Sequence, residues 1–182
     1  RQDRSHIHAT VFSPDFDYVF LPDLGADKIR CYLFDASKDQ PLQPAAFPYS
    51  STTPGSGPRH LTFHPNGKFG YCIEELSGTI TAYQYKNGKL DSIQRIATHT
   101  KKYKENFNSA DIHISPDGRF LYASNRGDEN NIAIFSIQQN GTLKIGDYVL
   151  AGKQHGKVKA MYDERGHNVS IAEPSTPISI LG

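Results

Sequence analysis

Ser13-Pro14-Asp15, His64-Pro65-Asn66-Gly67 and Ser115-Pro116-Asp117-Gly118 repeat one short phrase whose proline recurs every 51 residues. Each copy follows a short apolar run and precedes a run rich in Tyr, Phe and Val. The phrase is turn chemistry: Pro presets φ, Asp or Asn bonds the nearby backbone, and Gly accepts positive φ. Tight turns between β-prone runs, recurring at this period, predict the four-stranded blades of a β-propeller. Three copies predict three blades, too few to close a ring.

Outward from the turns, residues 8–12, 18–21 and 29–34 read as strands of the first repeat. Residues 60–63, 69–73 and 79–85 repeat them, and an Asn87-Gly88 hairpin signal leads into 90–97. The third repeat gives 112–114, 120–124 and 132–137, then Asn140-Gly141 before 143–150. The blades fall at about 1–50, 51–105 and 106–150, the last strand being shared with the C-terminal segment. The polar stretches 36–57 and 98–109 read as long loops. The cluster Lys101-Lys102-Tyr103-Lys104 in the second reads as a solvated loop rather than a phosphate site.

Ten Phe, ten Tyr, 15 Gly and 11 Pro among 182 residues suit an all-β chain with many turns. A net charge of +1 offers no broad field for nucleic acid. No apolar run approaches the roughly 20 residues of a membrane span. Arg1-Gln2-Asp3-Arg4 has no apolar segment behind it and does not read as a signal peptide. A cytoplasmic protein is therefore expected, and the missing initiator Met suggests an internal piece of something longer. Cys31 and Cys72 lie inside apolar strands at different repeat positions and read as buried free thiols. Nothing has zinc-ligand spacing, so neither metal nor cofactor is expected.

Gly57-Pro58-Arg59-His60-Leu61-Thr62-Phe63-His64-Pro65-Asn66-Gly67-Lys68, taken with Tyr71-Cys72-Ile73-Glu74-Glu75, resembles the seven-bladed propeller lactonases. That group holds 6-phosphogluconolactonase and the fungal carboxymuconate lactonizing enzymes. Ser5-His6-Ile7-His8, Pro22-Asp23-Leu24-Gly25-Ala26-Asp27, Ser115-Pro116-Asp117-Gly118-Arg119-Phe120-Leu121-Tyr122 and Ser124-Asn125-Arg126-Gly127 extend the resemblance over about residues 1–140. It implies a site at the central channel built from one His, two Arg and one Glu of consecutive blades. By motif, Arg59 and Glu75 match two of these. Arg126 stands one repeat after Glu75, and His8 one repeat before Arg59, with His6 as the competing histidine.

The residue types agree in kind. Equivalent positions of neighbouring blades face a common axis, so His8, Arg59, Glu75 and Arg126 can converge there. Lactone hydrolysis needs a base to activate water and a cation for the substrate anion and the developing oxyanion. Glu or His can be the first and Arg the second. The bland alternatives are inter-blade salt bridges for Arg and Glu and backbone capping for His. His60, His64, His99 and His113 carry no functional assignment.

After Gly141 the chain changes character. The proline due 51 residues after Pro116 is replaced by His167. Residues 141–182, from Gly141-Thr142-Leu143-Lys144 to Ile178-Ser179-Ile180-Leu181-Gly182, resemble the β-barrel domain that follows the GTPase domain in bacterial translation initiation factor two. They depart from it at Ser170-Ile171. The expected fold is thus all-β: a three-bladed partial propeller over 1–140 plus a hairpin-rich, barrel-like extension over 141–182, with added strands at 144–150, 157–162 and 178–181. The chain reads as a chimera, the competing reading being a degenerate fourth blade. No Gly-x-x-x-x-Gly-Lys-Ser/Thr motif is present, so the tail's expected role is structural.

Three functional readings are open. The first is a lactonase fragment without turnover of its own, whose parent hydrolyses a sugar-acid lactone, phosphorylated or not. The second is an active lactonase whose channel is rebuilt by oligomerisation. The third is an RNA-binding translation-factor fragment. An open arc leaves unpaired edges and uncovered blade faces. The expectation is that the tail covers one face and a homodimer contact another.

Overall fold

The Pro-Asp-Gly turns do what their chemistry requires. Ser115 N–H donates to Phe120 O at 2.9 Å, Phe120 N–H returns to Ser115 Oγ at 2.9 Å, and Gly118 N–H closes on Ser115 O at 2.8 Å. Gly67 and Gly118 take φ of +71° and +73°. In the first turn the corresponding residue is Phe16, left-handed at φ +61°. Each turn joins the first two strands of a four-stranded antiparallel sheet.

In this computed structural model the described residues are 2–99, 105–146, 148–151, 154–157, 160–162, 165–169 and 179–181. The lysine cluster at 101–104 and the departure at 170–171 lie outside them. The chain divides into two compact units, Arg1–Lys144 and Ile145–Gly182.

The first unit holds three meandering sheets, each with its strands in sequence order. Blade 1 is β1 (Val11–Phe12), β2 (Tyr18–Asp23), β3 (Lys28–Phe34) and β4 (Leu42–Ser51). Blade 2 is β5 (Pro58–Phe63), β6 (Phe69–Glu74), β7 (Thr79–Lys86) and β8 (Lys89–Ala97). Blade 3 is β9 (Ser109–Ile114), β10 (Phe120–Asn125), β11 (Asn131–Ile137) and β12 (Leu143–Ile145). The sequence-based loop at 36–57 thus contains a strand. β4 carries Pro44 and Pro48, is mostly exposed and pairs on one side with β3. An outer edge tolerates proline because its outward N–H groups need no ladder partner. The expected strand 143–150 also breaks: β12 ends at Ile145, and β13 (Tyr148–Ala151) belongs to a different sheet.

Neighbouring blades pack face to face. Phe20, Ile29, Cys31 and Ala45 of blade 1 meet Leu61, Cys72, Tyr83, Tyr85 and Leu90 of blade 2 in one core. Tyr71, Ile73, Ile80 and Ala82 on the other face of blade 2 meet Ile112, Leu121, Ala123, Phe135 and Leu143 of blade 3 in a second. Successive side chains of a strand point to opposite faces. In β6, Cys72 therefore serves the first core while Tyr71 and Ile73 serve the second. Both cysteines are buried free thiols, as the sequence implied. Burial alone pushes the Cys31 pKa up to about 11.

In the second unit β13 pairs antiparallel with β14 (Gln154–Lys157). β15 (Ala160–Tyr162) lies between β16 (Asn168–Val169) and β17 (Ser179–Leu181). β15 and β17 fall within the strands expected at 157–162 and 178–181, whereas β16 and all of β14 but Lys157 lie where no strand was expected.

Candidate active site

One irregularity recurs at the start of every blade. In blade 2 the β5–β6 register runs Pro58↔Glu74 and then His60↔Ile73, so Arg59 is an extra residue. In blade 3, Ser109↔Asn125 is followed by Ile112↔Ala123, leaving Ala110 at the position equivalent to Arg59. In blade 1 the bridge Ile7↔Asp23 precedes Val11↔Phe20, and His8 occupies that position. A bulge bends the strand and re-aims the extra side chain. His8, Arg59 and Ala110 are thus re-aimed alike.

Opposite the bulge, the second strand of each blade ends in a buried polar anchor: Asp23, Glu74 and Asn125. Glu74 accepts from Thr81 at 2.9 Å, Thr79 at 2.5 Å and Arg95 Nε at 2.9 Å. Asp23 accepts from Ser5, the His6 N–H and Arg30. Burial alone would raise the Asp23 pKa, but those three donors outweigh it and bring it down. Asn125 bonds Thr98, Ser109 and Asn131. These anchors fix the residue that follows each of them, and two of those are Glu75 and Arg126.

Glu75 lies at the seam between blades 2 and 3. Its Oε2 is 2.8 Å from Arg59 Nε and 3.1 Å from an Arg126 terminal nitrogen. The Arg59 contact is close but lacks the alignment of a hydrogen bond, so it acts as an ion pair. The side chains of Glu75 and Arg59 are 9% and 16% exposed, while Arg126 is 46% exposed and reaches solvent. Main-chain bonds hold the seam: Glu75 N–H donates to Gly57 O, Ser109 N–H to Glu75 O, and Arg126 N–H to Asn108 O. Gly57 is required here. Its φ is +64°, and a Cβ would stand 2.7 Å from Leu76 Cγ.

The structure brings Arg59, Glu75 and Arg126 into one contiguous group. His8 joins it through its field rather than by contact. Its N–H donates to Pro22 O, and its ring makes no hydrogen bond among the described residues. The partly desolvated side of His8, then the Arg59 cation, lowers its pKa, with Glu75 opposing. The competing His6 turns to Asp3, 3.3 Å away.

Two residues left unassigned in the sequence belong to this seam. Arg59 Nη1 lies 3.0 Å from His60 Nε2 and donates to Ala110 O at 2.7 Å. His60 Nδ1 lies 2.8 Å from Asp111 Oδ1. Both cross-blade contacts join residues 51 apart, one full repeat. Repeat-equivalent inner-strand residues touch across the seam, and that offset was the signal that would have found His60 and Asp111. Chemically, the seam offers two guanidiniums for an anion, a carboxylate between them, and two imidazoles nearby.

A model of the family described as lactonase, seven-bladed β-propeller, matches residues 1–173. A 6-phosphogluconolactonase of Formosa agariphila is 51% identical over 148 residues, covering 79% of this chain and 41% of that protein. The periplasmic gluconolactonase of Pseudomonas aeruginosa has a similar structure, at TM-score 0.77 and 34% identity, covering 91% of this chain and 46% of that one. A Bacteroides uniformis structure matches the whole chain at 36% identity and TM-score 0.73, over 59% of its own length. The chain spans about two fifths of the length of the curated relatives it matches. The family match also runs well past Gly141, across most of the C-terminal segment, where an initiation-factor barrel was expected.

Proposed function

The chain belongs to the seven-bladed β-propeller lactonase family, and from that premise we propose that it carries the catalytic seam of a hydrolase acting on sugar-acid lactones. The observation that carries the reading is the Arg59–Glu75–Arg126 cluster with His8 one repeat behind it. Two guanidiniums converging on one point suit a substrate carboxylate or phosphate and the oxyanion of the tetrahedral intermediate. Similarity to a 6-phosphogluconolactonase supports a phosphorylated lactone as substrate.

The base must hold a lone pair near neutral pH. A lowered pKa keeps His8 neutral there and suits it to take the proton of the attacking water. Glu75 holds the two arginines apart and aimed. As the intermediate collapses, the acyl C–O bond breaks and the ring oxygen takes the proton back, giving the open acid.

We place turnover in an assembled propeller rather than in these three blades alone. Catalysis needs its groups held to about half an ångström, and an open arc leaves the far wall of the channel unbuilt. Release of acid from 6-phosphogluconolactone, above its spontaneous rate, tests the absence of turnover, and comparison with Glu75→Gln tests the site wherever acceleration is seen. The expected result is no acceleration by either. Acceleration that Glu75→Gln abolishes would overturn the absence of turnover and uphold the site. Acceleration that survives in Glu75→Gln would count against the site.

An initiation-factor origin for the tail rests on its motif order and on the boundary between units at Lys144. The lactonase match through residue 173 weighs against it, and we assign the tail no RNA-binding role. No helix among the described residues is long and apolar enough to cross a membrane. The unpaired buried thiols favour a reducing compartment such as the cytoplasm, while one similar protein is periplasmic.

A further inference from the structure

Arg59 and His60 are chain neighbours on β5, yet both reach into blade 3. A guanidinium nitrogen carries hydrogens and no lone pair for bonding. His60 Nε2, 3.0 Å from Arg59 Nη1, is therefore the acceptor of that contact. The ring hydrogen then sits on Nδ1 and donates to Asp111 Oδ1 at 2.8 Å. With Ala110 O at 2.7 Å, both hydrogens of Nη1 are engaged. Rotation of the guanidinium about its Cζ–Nε bond would break the two contacts together.

Asp111 is well suited to hold that tautomer. Its second oxygen lies 3.0 Å from His113 Nε2, and its first also accepts the Ile112 N–H. Burial alone would raise its pKa, but the bonds from His60, the Ile112 N–H and His113 outweigh it and bring it down to about 2. It is a carboxylate throughout the neutral range.

We propose that His60 and Asp111 are a positioning pair for Arg59: Asp111 selects the imidazole tautomer, and His60 locks the guanidinium that receives the substrate's anionic group. The pair acts across the seam, so the aim of a blade 2 arginine is set by a blade 3 carboxylate. The proposal rests on Arg59 being an anion-binding group, as proposed above.

Nuclear magnetic resonance on the full chain, labelled in histidine and arginine, tests it without turnover. The expected wild-type spectrum shows His60 as the Nδ1–H tautomer and a resolved Arg59 guanidinium. Asp111→Ala should mix the tautomers and broaden the arginine signal. His60→Ala should broaden it too, while His60→Gln, whose amide oxygen accepts from Nη1, should retain it. Titration with 6-phosphogluconate should give a Kd raised about tenfold in each alanine variant, the loss of one charge-assisted hydrogen bond. The double variant should lose no more than either single one. An Nδ1–H tautomer that is absent from the wild type overturns the proposal, as does an Arg59 signal unchanged in both alanine variants. Wild type that fails to bind 6-phosphogluconate overturns the anion-site reading, while the tautomer and arginine signals still decide the pairing. Should an alanine variant not fold, the wild-type tautomer decides.

Discussion

Gln94 spends both ends of its amide on the backbone of Leu143: its Nε2 donates to Leu143 O at 3.0 Å, and its Oε1 accepts the Leu143 N–H at 2.6 Å. Gln94 belongs to β8 and Leu143 to β12, so one side chain ties the outer strands of blades 2 and 3. Tyr71 adds a second tie through its hydroxyl to Gly141 O at 3.0 Å. Gln94→Ala removes a donor and an acceptor and leaves the Leu143 peptide short of partners. The expected loss is about 1–3 kcal/mol, read as a lower denaturation midpoint in urea. Gln94→Glu should cost more than half as much, because a carboxylate cannot donate to Leu143 O.

The first turn carries avoidable strain. Phe16 holds φ +61° where the later repeats use glycine, and the residue is 66% exposed. Phe16→Gly relieves a left-handed bulky residue at the cost of a ring contact with Phe12 at 5.7 Å. A net gain of about 0.5–1 kcal/mol is expected by thermal unfolding. The reverse experiment is Gly118→Ala. There φ is +73° and the new Cβ would stand 2.7 Å from the His64 ring, so a loss of about 1–2 kcal/mol is expected.

Most of the blade plan was legible because turns write themselves into local sequence. Asn87-Gly88, Pro65-Asn66-Gly67 and Pro116-Asp117-Gly118 each demand a backbone shape that few other residues supply. β4 was not legible, since an exposed edge strand with Pro44 and Pro48 has a loop's composition. Arg59, Glu75 and Arg126 came from repeat positions and family motifs, and the structure joins them. His60 and Asp111 escaped because each looks ordinary alone. Their partnership depends on blades packing at a one-repeat offset, a tertiary fact that no local pattern encodes.

The pH response of the site should be set by His8. Its folded pKa lies below the ordinary value of 6.5, so between the two the unfolded chain binds more protons than the folded one. Stability contributed by this group is therefore present above pH 6.5 and falls as acid is added. Histidine chemical shifts should place the His8 midpoint below 6.5. Removing the Arg59 charge by Arg59→Met should move that midpoint upward. Asp111 adds a lower window: its stabilisation is full above the unfolded value of 3.8 and is lost as the pH falls towards 2.

Neutralising Glu75 should strengthen anion binding at the seam. In the folded chain its carboxylate occupies both guanidiniums, so an incoming anion competes with it. Glu75→Gln frees that charge. Inorganic phosphate and 6-phosphogluconate should then bind about three- to tenfold more tightly, measured by calorimetry, with the gain shrinking as salt is raised. A weaker Kd in the variant would mean that losing the aim Glu75 gives the two arginines outweighs the charge it frees.

Self-association is the last expected property. On β11, Phe135 is fully buried in the blade 2–blade 3 core, whereas Ile132 is 63% exposed. Phe12 and Leu42 on blade 1 are 40% and 45% exposed. Exposed apolar side chains on a sheet favour association, and sheet edges and faces readily pair with copies of themselves. We propose a homodimer that covers the β11 face. Sedimentation should give a mass above the 20.3 kDa of one chain at micromolar concentration. Ile132→Lys should restore the monomer with little change in the intrinsic unfolding midpoint, because the side chain contributes nothing to either inter-blade core. A well-folded wild-type monomer across that concentration range would sink the proposal.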